Sequence, residues 1–423
     1  MKLLIFAHVP PPYHGQSVAV KLMLENYGGD RRKAKFRQEP PNHFGLECYH
    51  VNARYSKRLD DVGEFQITKI LLILFYCLQA IWCRFRYGVE NLYYIPAPGK
   101  PIALYRDWLV MLVCRPFFKR VIFNWRAAGL AKWLENTADS HTRNFTYDRM
   151  KHADASIVLS DFSRNDAEKL MAKRVMVVAG GISDPCPGFD HKILPRRRAR
   201  IETRKKILRG DFQIQSESDK TVNVIFIAHC TREKGVFDLV EGIALANEQL
   251  IAEGLPLRFR LTLIGAFASE VEEKDLREYI RQRNLLNSVI TLGFVSNERK
   301  NKELRDADIF CFPSYYLAEG QPASLMEAFA FGLPVVTTRW RAIPEMFQEN
   351  YPGFVDLKAP AQIAEKLRLL CITDLSGPLR AIFLRRFTLE KHLAAMAEAM
   401  HSVETVYDSR NGSVGSTAIA DKK

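Results

Sequence analysis

Short apolar runs alternate with longer amphipathic stretches along the chain, and this pattern predicts strands followed by helices. The alternation runs through residues 2–181 and begins again at Thr221. Alternating strands and helices form βαβ units, in which consecutive strands lie parallel in one sheet. We therefore predict an α/β protein with two successive blocks, each built on a parallel sheet.

The pattern is clearest at residues 309–338. Ile309–Phe312 is an apolar run typical of a buried strand, and a polar loop that carries Glu319 follows it. The next residues favour a helix that places Glu327 about one and a half turns from its start. Ligands of open parallel sheets bind beyond the carboxyl ends of the strands, and the N-terminus of a helix favours phosphate. We therefore predict a ligand site in this loop.

Composition restricts the class of protein and its partners. A chain of 423 residues with 47% apolar and 26% charged residues is long enough for two or three globular domains. The formal net charge of +13 indicates an anionic partner, and nucleotide diphosphates, acidic lipid head groups and nucleic acid all satisfy it. Eight scattered cysteines without a C-x-x-C pair, and an amino terminus without a secretory signal, predict a cytoplasmic protein with free thiols.

The most apolar segment is Ile67–Cys83, which contains Lys69 and Gln79 and is followed by Arg84 and Arg86. A membrane-spanning helix needs about 20 apolar residues, so this segment is short and interrupted. The first interpretation is a buried helix packed on the amino-terminal sheet. The alternative is an interfacial helix that contacts an anionic membrane, which would make the protein peripheral on the inner face of the plasma membrane. A spanning helix is the third interpretation.

Residues 191–209 are dense in lysine and arginine, and residues 211–220 are polar. No aromatic residues are interleaved with the basic ones, so a nucleic-acid surface that stacks bases is not indicated. We interpret the region as a solvated linker and helix between two domains, with a lipid-facing role as the alternative.

The residues around the two glutamates resemble the paired-glutamate motif of the family 4 retaining glycosyltransferases, the glycogen synthase and mannosyltransferase-like group 1. The matching positions are Pro313-Ser314, Glu319-Gly320, Pro322, Glu327-Ala328, Gly332 and Pro334-Val335-Val336. The resemblance implies the GT-B fold, with two Rossmann-like domains whose parallel sheets face a central cleft. It also implies transfer of a sugar, with retention, from a UDP- or GDP-linked nucleotide sugar. The acceptor would be a saccharide or a lipid-linked saccharide, and the product a polysaccharide or glycan.

The domain organisation follows from this resemblance and from the sequence pattern. The predicted parts are an acceptor domain at 1–188, a basic linker at 189–220, a donor domain at 221–387, a helix at about 388–407 that packs back on the first domain, and a disordered tail at 408–423.

The resemblance also implies roles for individual residues. Glu319 is expected to reach sugar hydroxyls as a catalytic residue, and Glu327 to bind the ribose. Lys234 matches the lysine of a basic diphosphate clamp, where fixed cations would stabilise the departing group. The arginine position of the clamp holds His229, and Arg232 lies two residues before the lysine, so both compete for the second place.

Further positions are implied for donor and acceptor. The implied donor contacts are the backbone amides of Gly320, Gln321 and Ala323, the amino-terminal phosphate loop at Gly15, and the base-facing turn at Gly293 and Val295. Arg126 stands where the family often has a histidine, and an arginine there could grip an acceptor phosphate or carboxylate. No metal or other cofactor is expected, although Asp306-Ala307-Asp308 has the form of a D-x-D metal motif.

The competing hypothesis is a non-catalytic basic scaffold or nucleic-acid-binding protein on a degenerate GT-B fold. Arg126, His229 and the loop after Thr338, which lacks the usual glycines, keep it open. Retention of Glu319 and Lys234 favours an enzyme instead. The expected partners are a nucleotide-sugar donor, a saccharide or polyprenyl-linked acceptor and an anionic membrane surface, without nucleic acid.

Overall fold

The structure is a computed structural model that describes residues 1–11, 15–37, 42–55, 67–99, 101–211 and 219–404. The chain forms two compact units, one of residues 1–179 with residues from 391 onward, the other Gly180–Glu390. Each unit contains a six-stranded sheet in which every strand pair is parallel. The two parallel sheets predicted from the alternation of strands and helices are therefore confirmed.

The sheet of the amino-terminal unit has the strand order β2-β1-β3-β4-β5-β6. Its strands are β1 (Lys2–Phe6), β2 (Glu47–Val51), β3 (Asn91–Tyr94), β4 (Arg120–Trp125), β5 (Ala155–Val158) and β6 (Val175–Val177). Its helices are α1 (Gly15–Asn26), α2 (Ala34–Arg37), α3 (Ile67–Tyr87), α4 (Pro101–Cys114), α5 (Leu130–Asn136), α6 (Ser140–Met150) and α7 (Arg164–Glu168), with short 3-10 helices at Arg115–Phe117 and Asp161–Ser163.

The sheet of the carboxyl-terminal unit has the order β12-β11-β10-β7-β8-β9. Its strands are β7 (Thr221–Ile227), β8 (Arg258–Ile264), β9 (Val289–Thr291), β10 (Ile309–Phe312), β11 (Val335–Thr338) and β12 (Phe354–Val355). The helices, after a π-helix at Phe189–Ile193, are α8 (Leu194–Leu208), α9 (Val236–Ala252), α10 (Glu270–Gln282), α11 (Asn297–Asp306), α12 (Ala323–Ala330), α13 (Pro360–Leu370) and α14 (Ser376–Arg386), with 3-10 helices at Arg232–Lys234 and Pro344–Met346.

Continuous apolar runs become strands that are buried on both faces. Every residue of β3, β5 and β10 is buried, as expected for inner strands of a parallel sheet covered by helices. The strand β10 is the run predicted at Ile309–Phe312, and the helix predicted after its loop is α12. The ligand loop predicted from the sequence therefore lies between a strand and a helix, beyond the carboxyl end of β10.

The last described helix, α15 (Leu389–His401), begins in the carboxyl-terminal unit and lies for most of its length in the amino-terminal one. The Tyr27 hydroxyl donates a hydrogen bond of 2.7 Å to the Leu393 carbonyl of this helix. Leu393 and Met396 are buried, so apolar burial holds the helix in place. The predicted disordered tail at 408–423 lies outside the described residues.

The structure corrects the predicted solvated linker at 189–220. Its first part forms the π-helix and α8, both within the carboxyl-terminal unit, whose boundary falls at Gly180. Arg197 and Arg204 of α8 are 4% and 1% exposed. Their charges are compensated locally, since Arg204 Nη2 lies 2.6 Å from Asp308 Oδ2 and Arg197 donates to backbone carbonyls. Residues 212–218 are not among those described.

Candidate functional site

The candidate site lies where the strand order of the carboxyl-terminal sheet reverses. Strands β7 and β10 are neighbours, with Val224 paired to Ile309, although 81 residues separate the end of one from the start of the other. Loops that leave a parallel sheet at such a reversal diverge and open a crevice for ligands. A hydrogen bond of 2.8 Å from the Tyr315 N–H to the Glu233 carbonyl joins the two loops directly.

These two loops bring Lys234 and Glu319 together. Lys234 Nζ lies 2.7 Å from Glu319 Oε2, and the Ser314 hydroxyl donates to the same oxygen at 2.6 Å. Glu319 is 6% exposed, so its charge is held by these two donors in a poorly solvated place. In the described part of the chain the contacts use Oε2, which leaves Oε1 to accept a hydroxyl group of a ligand.

The loop that carries Lys234 is shaped by its neighbours. Thr231 accepts a hydrogen bond from the Lys234 N–H through its side chain and caps the short 3-10 helix. Gly235 ends that helix at φ +77°, in the left-handed region that favours glycine. The Lys234 ammonium also lies 4.5 Å from the centre of the Tyr316 ring, a distance typical of a cation–π contact. The Thr231 cap therefore holds the backbone of Lys234, and Glu319 and the Tyr316 ring hold its ammonium.

Gly235→Ala is expected to destabilise the protein and to shift Lys234. A Cβ at this position would lie 2.2 Å from the Pro313 carbonyl oxygen, and φ is positive. Positive φ alone costs about 1–3 kcal/mol for a non-glycine residue, and the backbone clash adds to it. Gly254→Ala is the matched control, since Gly254 has φ +69° and no atom within 4 Å of an added Cβ. Denaturant titration should show the larger loss for Gly235→Ala, and equal losses would contradict this account.

The N-terminus of α12 comes four residues after Glu319, at Ala323. Pro322 is the N-cap and makes no side-chain cap, so the N–H groups of Ala323 and Ser324 have no acceptor within the helix, whereas the Leu325 N–H donates to the Pro322 carbonyl. Gly320 lies three residues before Ala323 in the loop, and the Gln321 side chain accepts a 2.6 Å hydrogen bond from the Gly180 N–H. Free N–H groups and the helix dipole favour an anion at this end of the helix.

Glu327 lies one turn further along α12 and pairs with Lys300 of α11. Both side chains are about one-fifth exposed, at 18% and 22%. The pair fixes the carboxylate while leaving it accessible to a ligand. Lys300 was missed by the sequence analysis, because nothing in the sequence indicates that α11 and α12 meet. The hydrogen bond from Ser314 to Glu319 was missed too, although Ser314 belongs to the paired-glutamate motif.

The two candidates for a second cation lie differently. Arg232 donates to Asp275 Oδ2 at 3.1 Å, stacks 3.8 Å from the Phe237 ring centre, and lines a cavity of about 530 Å³ between α9 and α10. Its contacts are therefore with α9 and α10, and the structure does not join it to Glu319. His229 is exposed in the same loop as Lys234.

The other implied donor positions lie at a turn after β9 and at the start of α1. Gly293 follows β9 with φ +66°, and a Cβ there would meet no atom within 4 Å, so the turn is open on that side. Val295 is buried beside it, which anchors the turn. Gly15 is the first residue of α1 in the amino-terminal unit and also has open space around it.

Arg126 follows β4 in the amino-terminal unit and is held by a histidine of α15. His392 donates from Nδ1 to the Ala179 carbonyl at 2.7 Å, so Nε2 accepts from Arg126 Nη2 at 3.4 Å. Burial and the Arg126 charge lower the pKa of His392 to about 3, which keeps the imidazole neutral as this bond requires. Arg126 is therefore oriented by a residue that the sequence analysis did not connect with it.

The carboxylates of the D-x-D sequence have separate partners. Asp308 is 3% exposed and binds Arg200 and Arg204, and Asp306 pairs with Arg196 near the surface. Within the described ranges, no group of three or more His, Cys, Asp or Glu side chains is placed to hold a metal ion.

Part of the chain matches a known protein family and several named proteins. Residues 209–383 match the family described as Glycosyl transferases group 1. WcaL of Escherichia coli, whose name assigns it provisionally to colanic acid biosynthesis as a glycosyltransferase, is 34% identical over 149 residues, which are 33% of this chain and 34% of WcaL. AmsK of Erwinia amylovora, named an amylovoran biosynthesis glycosyltransferase, is 30% identical over 156 residues, 36% of each protein. The matched part of the chain thus spans about a third of the length of these curated relatives.

The fold is shared over a much longer stretch. The crystal structure of Alr3699/HepE of Anabaena, in complex with UDP and glucose, superposes with a TM-score of 0.61 and 15% identity, covering 94% of this chain and 99% of that one. At this identity the likeness concerns the fold. The chain thus has the GT-B fold, and its residues 209–383 carry the sequence signature of the group 1 glycosyl transferases.

Proposed function

We propose that this protein is a glycosyltransferase that moves a sugar from a nucleotide-diphosphate sugar to a saccharide acceptor in polysaccharide biosynthesis. The observation that carries the proposal is the 2.7 Å contact between Lys234 Nζ and Glu319 Oε2 at the strand-order reversal. A cation and a carboxylate side by side suit a diphosphate leaving group next to a sugar. The match of residues 209–383 to group 1 supports the same chemistry.

The donor would be held by charges and amides of the carboxyl-terminal unit. The Lys234 ammonium carries three N–H donors and uses one on Glu319, so the others can bind phosphate oxygens. The N-terminus of α12, four residues after Glu319, would add backbone N–H groups. Glu319 Oε1 would accept from a sugar hydroxyl. Glu327, oriented by Lys300, would accept from the ribose hydroxyls.

Transfer would retain the anomeric configuration, as in family 4. In this scheme the bond between the anomeric carbon and the phosphate oxygen breaks while an acceptor oxygen attacks from the same face. The acceptor proton passes to the departing phosphate oxygen, so the products are a glycoside and a nucleoside diphosphate. Negative charge grows on the leaving group as the bond breaks, and Lys234 with the α12 amides would stabilise it.

The partners follow from relatives and composition. The names of WcaL and AmsK refer to polysaccharides, and HepE was crystallised with UDP and glucose. We therefore propose a UDP-linked hexose as the first donor to test, with GDP-linked sugars second, and a saccharide, free or polyprenyl-linked, as acceptor. All eight cysteines are unpaired and buried, which suits the reducing cytoplasm.

A panel of nucleotide sugars, read out by released nucleoside diphosphate, tests the proposal. One UDP- or GDP-linked sugar is expected to give turnover that needs a saccharide acceptor. The matching nucleoside diphosphate, at about a hundredfold over its dissociation constant, should add about 2.7 kcal/mol to the free energy of unfolding. The unfolding temperature should rise by several degrees.

Two controls decide the outcome of the panel. Lys234→Met should lose the stabilisation by nucleoside diphosphate, because the ammonium that meets the phosphates is gone. Single-stranded nucleic acid serves as the second control. Stabilisation by nucleic acid with none from any nucleoside diphosphate would overturn the proposal in favour of a basic binding protein on the same fold.

A further inference from the structure

Helix α3 exposes a stripe of large apolar side chains. They recur at intervals of three or four residues, which places them on one side of the helix. Their exposed fractions are 64% for Leu71, 54% for Phe75, 64% for Leu78, 54% for Trp82 and 69% for Phe85. Single exposed apolar residues are ordinary, whereas a continuous stripe of this kind marks an interaction surface.

The opposite side of α3 is also apolar, and it is packed against the protein. Ile73, Cys77, Ala80 and Cys83 are buried in the core of the amino-terminal unit. Within the described ranges, Thr68–Tyr87 is the one helical segment long and apolar enough to cross a membrane, with mean hydropathy 1.5, yet only 22% of the residues in its most apolar 18-residue stretch are buried. Because one side of α3 packs in the core of the amino-terminal unit, the helix can lie along the surface of an apolar phase but cannot cross it.

Neighbouring elements widen the stripe. Phe117, in the 3-10 helix after α4, is 41% exposed, and its ring centre lies 6.1 Å from that of Phe85. Helix α4 packs against α3 and exposes Tyr105 and Leu112 by 47% and 48%. We call these exposed side chains of α3, α4 and the 3-10 helix the α3–α4 face.

The charged residues that α3 itself carries are basic. Helix α3 contains no acidic residue, and its last turn carries Arg84 and Arg86. Arg84 donates to the Phe117 carbonyl at 2.9 Å and pairs with Glu90 at 3.6 Å, so it ties the end of α3 to its neighbours, and Arg86 is the arginine left for lipid phosphates. The one acidic residue of α4, Asp107, is fully buried. Arginines beside an apolar surface with tryptophan and tyrosine suit the head-group region of an anionic bilayer.

We propose that the α3–α4 face docks on the surface of a bilayer that contains anionic lipids, with α3 parallel to the membrane plane. Leu78, Trp82 and Phe85 enter the boundary between head groups and acyl chains, and Arg86 meets lipid phosphates. A second copy of the chain fits this face less well, because a two-fold dimer places the face against itself. Arg86 would then meet the Arg86 of the other copy, with no carboxylate on α3 to pair with it.

Vesicle flotation of the full-length protein tests the proposal, and it needs no sugar donor. The wild type is expected to float with vesicles of phosphatidylcholine mixed with phosphatidylglycerol. Leu78→Ser combined with Phe85→Ser should weaken partitioning by about thirtyfold or more, because two large apolar side chains no longer enter the bilayer. Val271→Ser combined with Leu286→Ser is the matched control, since these side chains are 68% and 64% exposed in the other unit, and it should float like the wild type.

A charge variant and the oligomeric state complete the test. Arg86→Gln should weaken binding to the anionic vesicles by about fivefold and leave binding to pure phosphatidylcholine unchanged. Unchanged thermal unfolding of the variants shows that they are folded. A wild type that stays in the soluble fraction with every lipid mixture would overturn the proposal. So would light scattering that shows a dimer abolished by the Leu78→Ser and Phe85→Ser pair.

Discussion

Replacing Glu319 by glutamine is expected to lower the kcat of sugar transfer by about a hundred- to a thousandfold, the cost of removing one preorganised electrostatic group. Glutamine keeps the shape of the side chain and an oxygen for the Ser314 hydroxyl. It removes the charge that holds Lys234 Nζ at 2.7 Å, and the carboxylate that would face the sugar as positive charge develops at its anomeric carbon. Steady-state release of nucleoside diphosphate measures the effect.

Glu233→Gln is the matched control for this variant. Glu233 is exposed and precedes Lys234 in the same loop, so the substitution changes the local charge equally without touching the ion pair. Its kcat should stay within about twofold of the wild type. Lys234→Met combined with Glu319→Gln should lose little more than the worse single variant, because the two side chains act as one unit. Additive losses, or a Glu319→Gln variant with full turnover, would remove the pair from the mechanism.

Asp308→Ala is expected to destabilise the carboxyl-terminal unit by about 3–5 kcal/mol, the range for breaking a buried ion pair from one side. Asp308 Oδ2 lies 2.6 Å from Arg204 Nη2 and 2.8 Å from Arg200 Nη2, and it accepts from the Asn223 N–H. Arg204 is 1% exposed, so its charge would be left in the core without compensation. Hydrogen exchange of β7 and α8 under mild denaturant reports this loss locally.

Asp306→Ala separates this effect from any general loss of acidic charge. The Asp306 carboxylate is 44% exposed and its partner Arg196 is 59% exposed, so their ion pair is screened by water. The variant should lose less than about 1 kcal/mol. Similar losses for the two aspartates would show that the arginines of α8 are not held by Asp308. Loss of metal-dependent turnover in both variants would instead support a metal role for the D-x-D sequence.

The sequence predicts local structure at the site well, because short-range physics determines it. The run Ile309–Phe312 can be read as a buried strand from its apolar character, and the helix-forming residues around Glu327 give α12. The position of Glu319 in the loop between them follows. The contact with Lys234 does not, because it depends on β7 and β10 being neighbours in the sheet. Strand order is a long-range property that periodicity leaves open.

Buried charge and exposed apolar surface are the features that the sequence pattern does not predict. The arginines of α8 look like a solvated face in the sequence, since Asp308, which neutralises two of them, is about a hundred residues away. Helix α3 shows the converse. Its apolar residues surround the helix, and hydropathy alone cannot say that one side packs on the core while Leu78 and Trp82 face outward. Tertiary contacts decide both cases.

The path of α15 has a consequence for how the molecule is assembled. Residues 180–390 are continuous in sequence, so that unit can complete its folding as soon as its last residue has left the ribosome. The unit that is synthesised first has to wait, because Leu393 and Met396, which belong to its interior, come more than 200 residues after its last strand, β6. Until they arrive, the Tyr27 hydroxyl lacks its Leu393 acceptor and the apolar surface that α15 covers stays exposed, so the nascent amino-terminal half is the part for which a chaperone matters most.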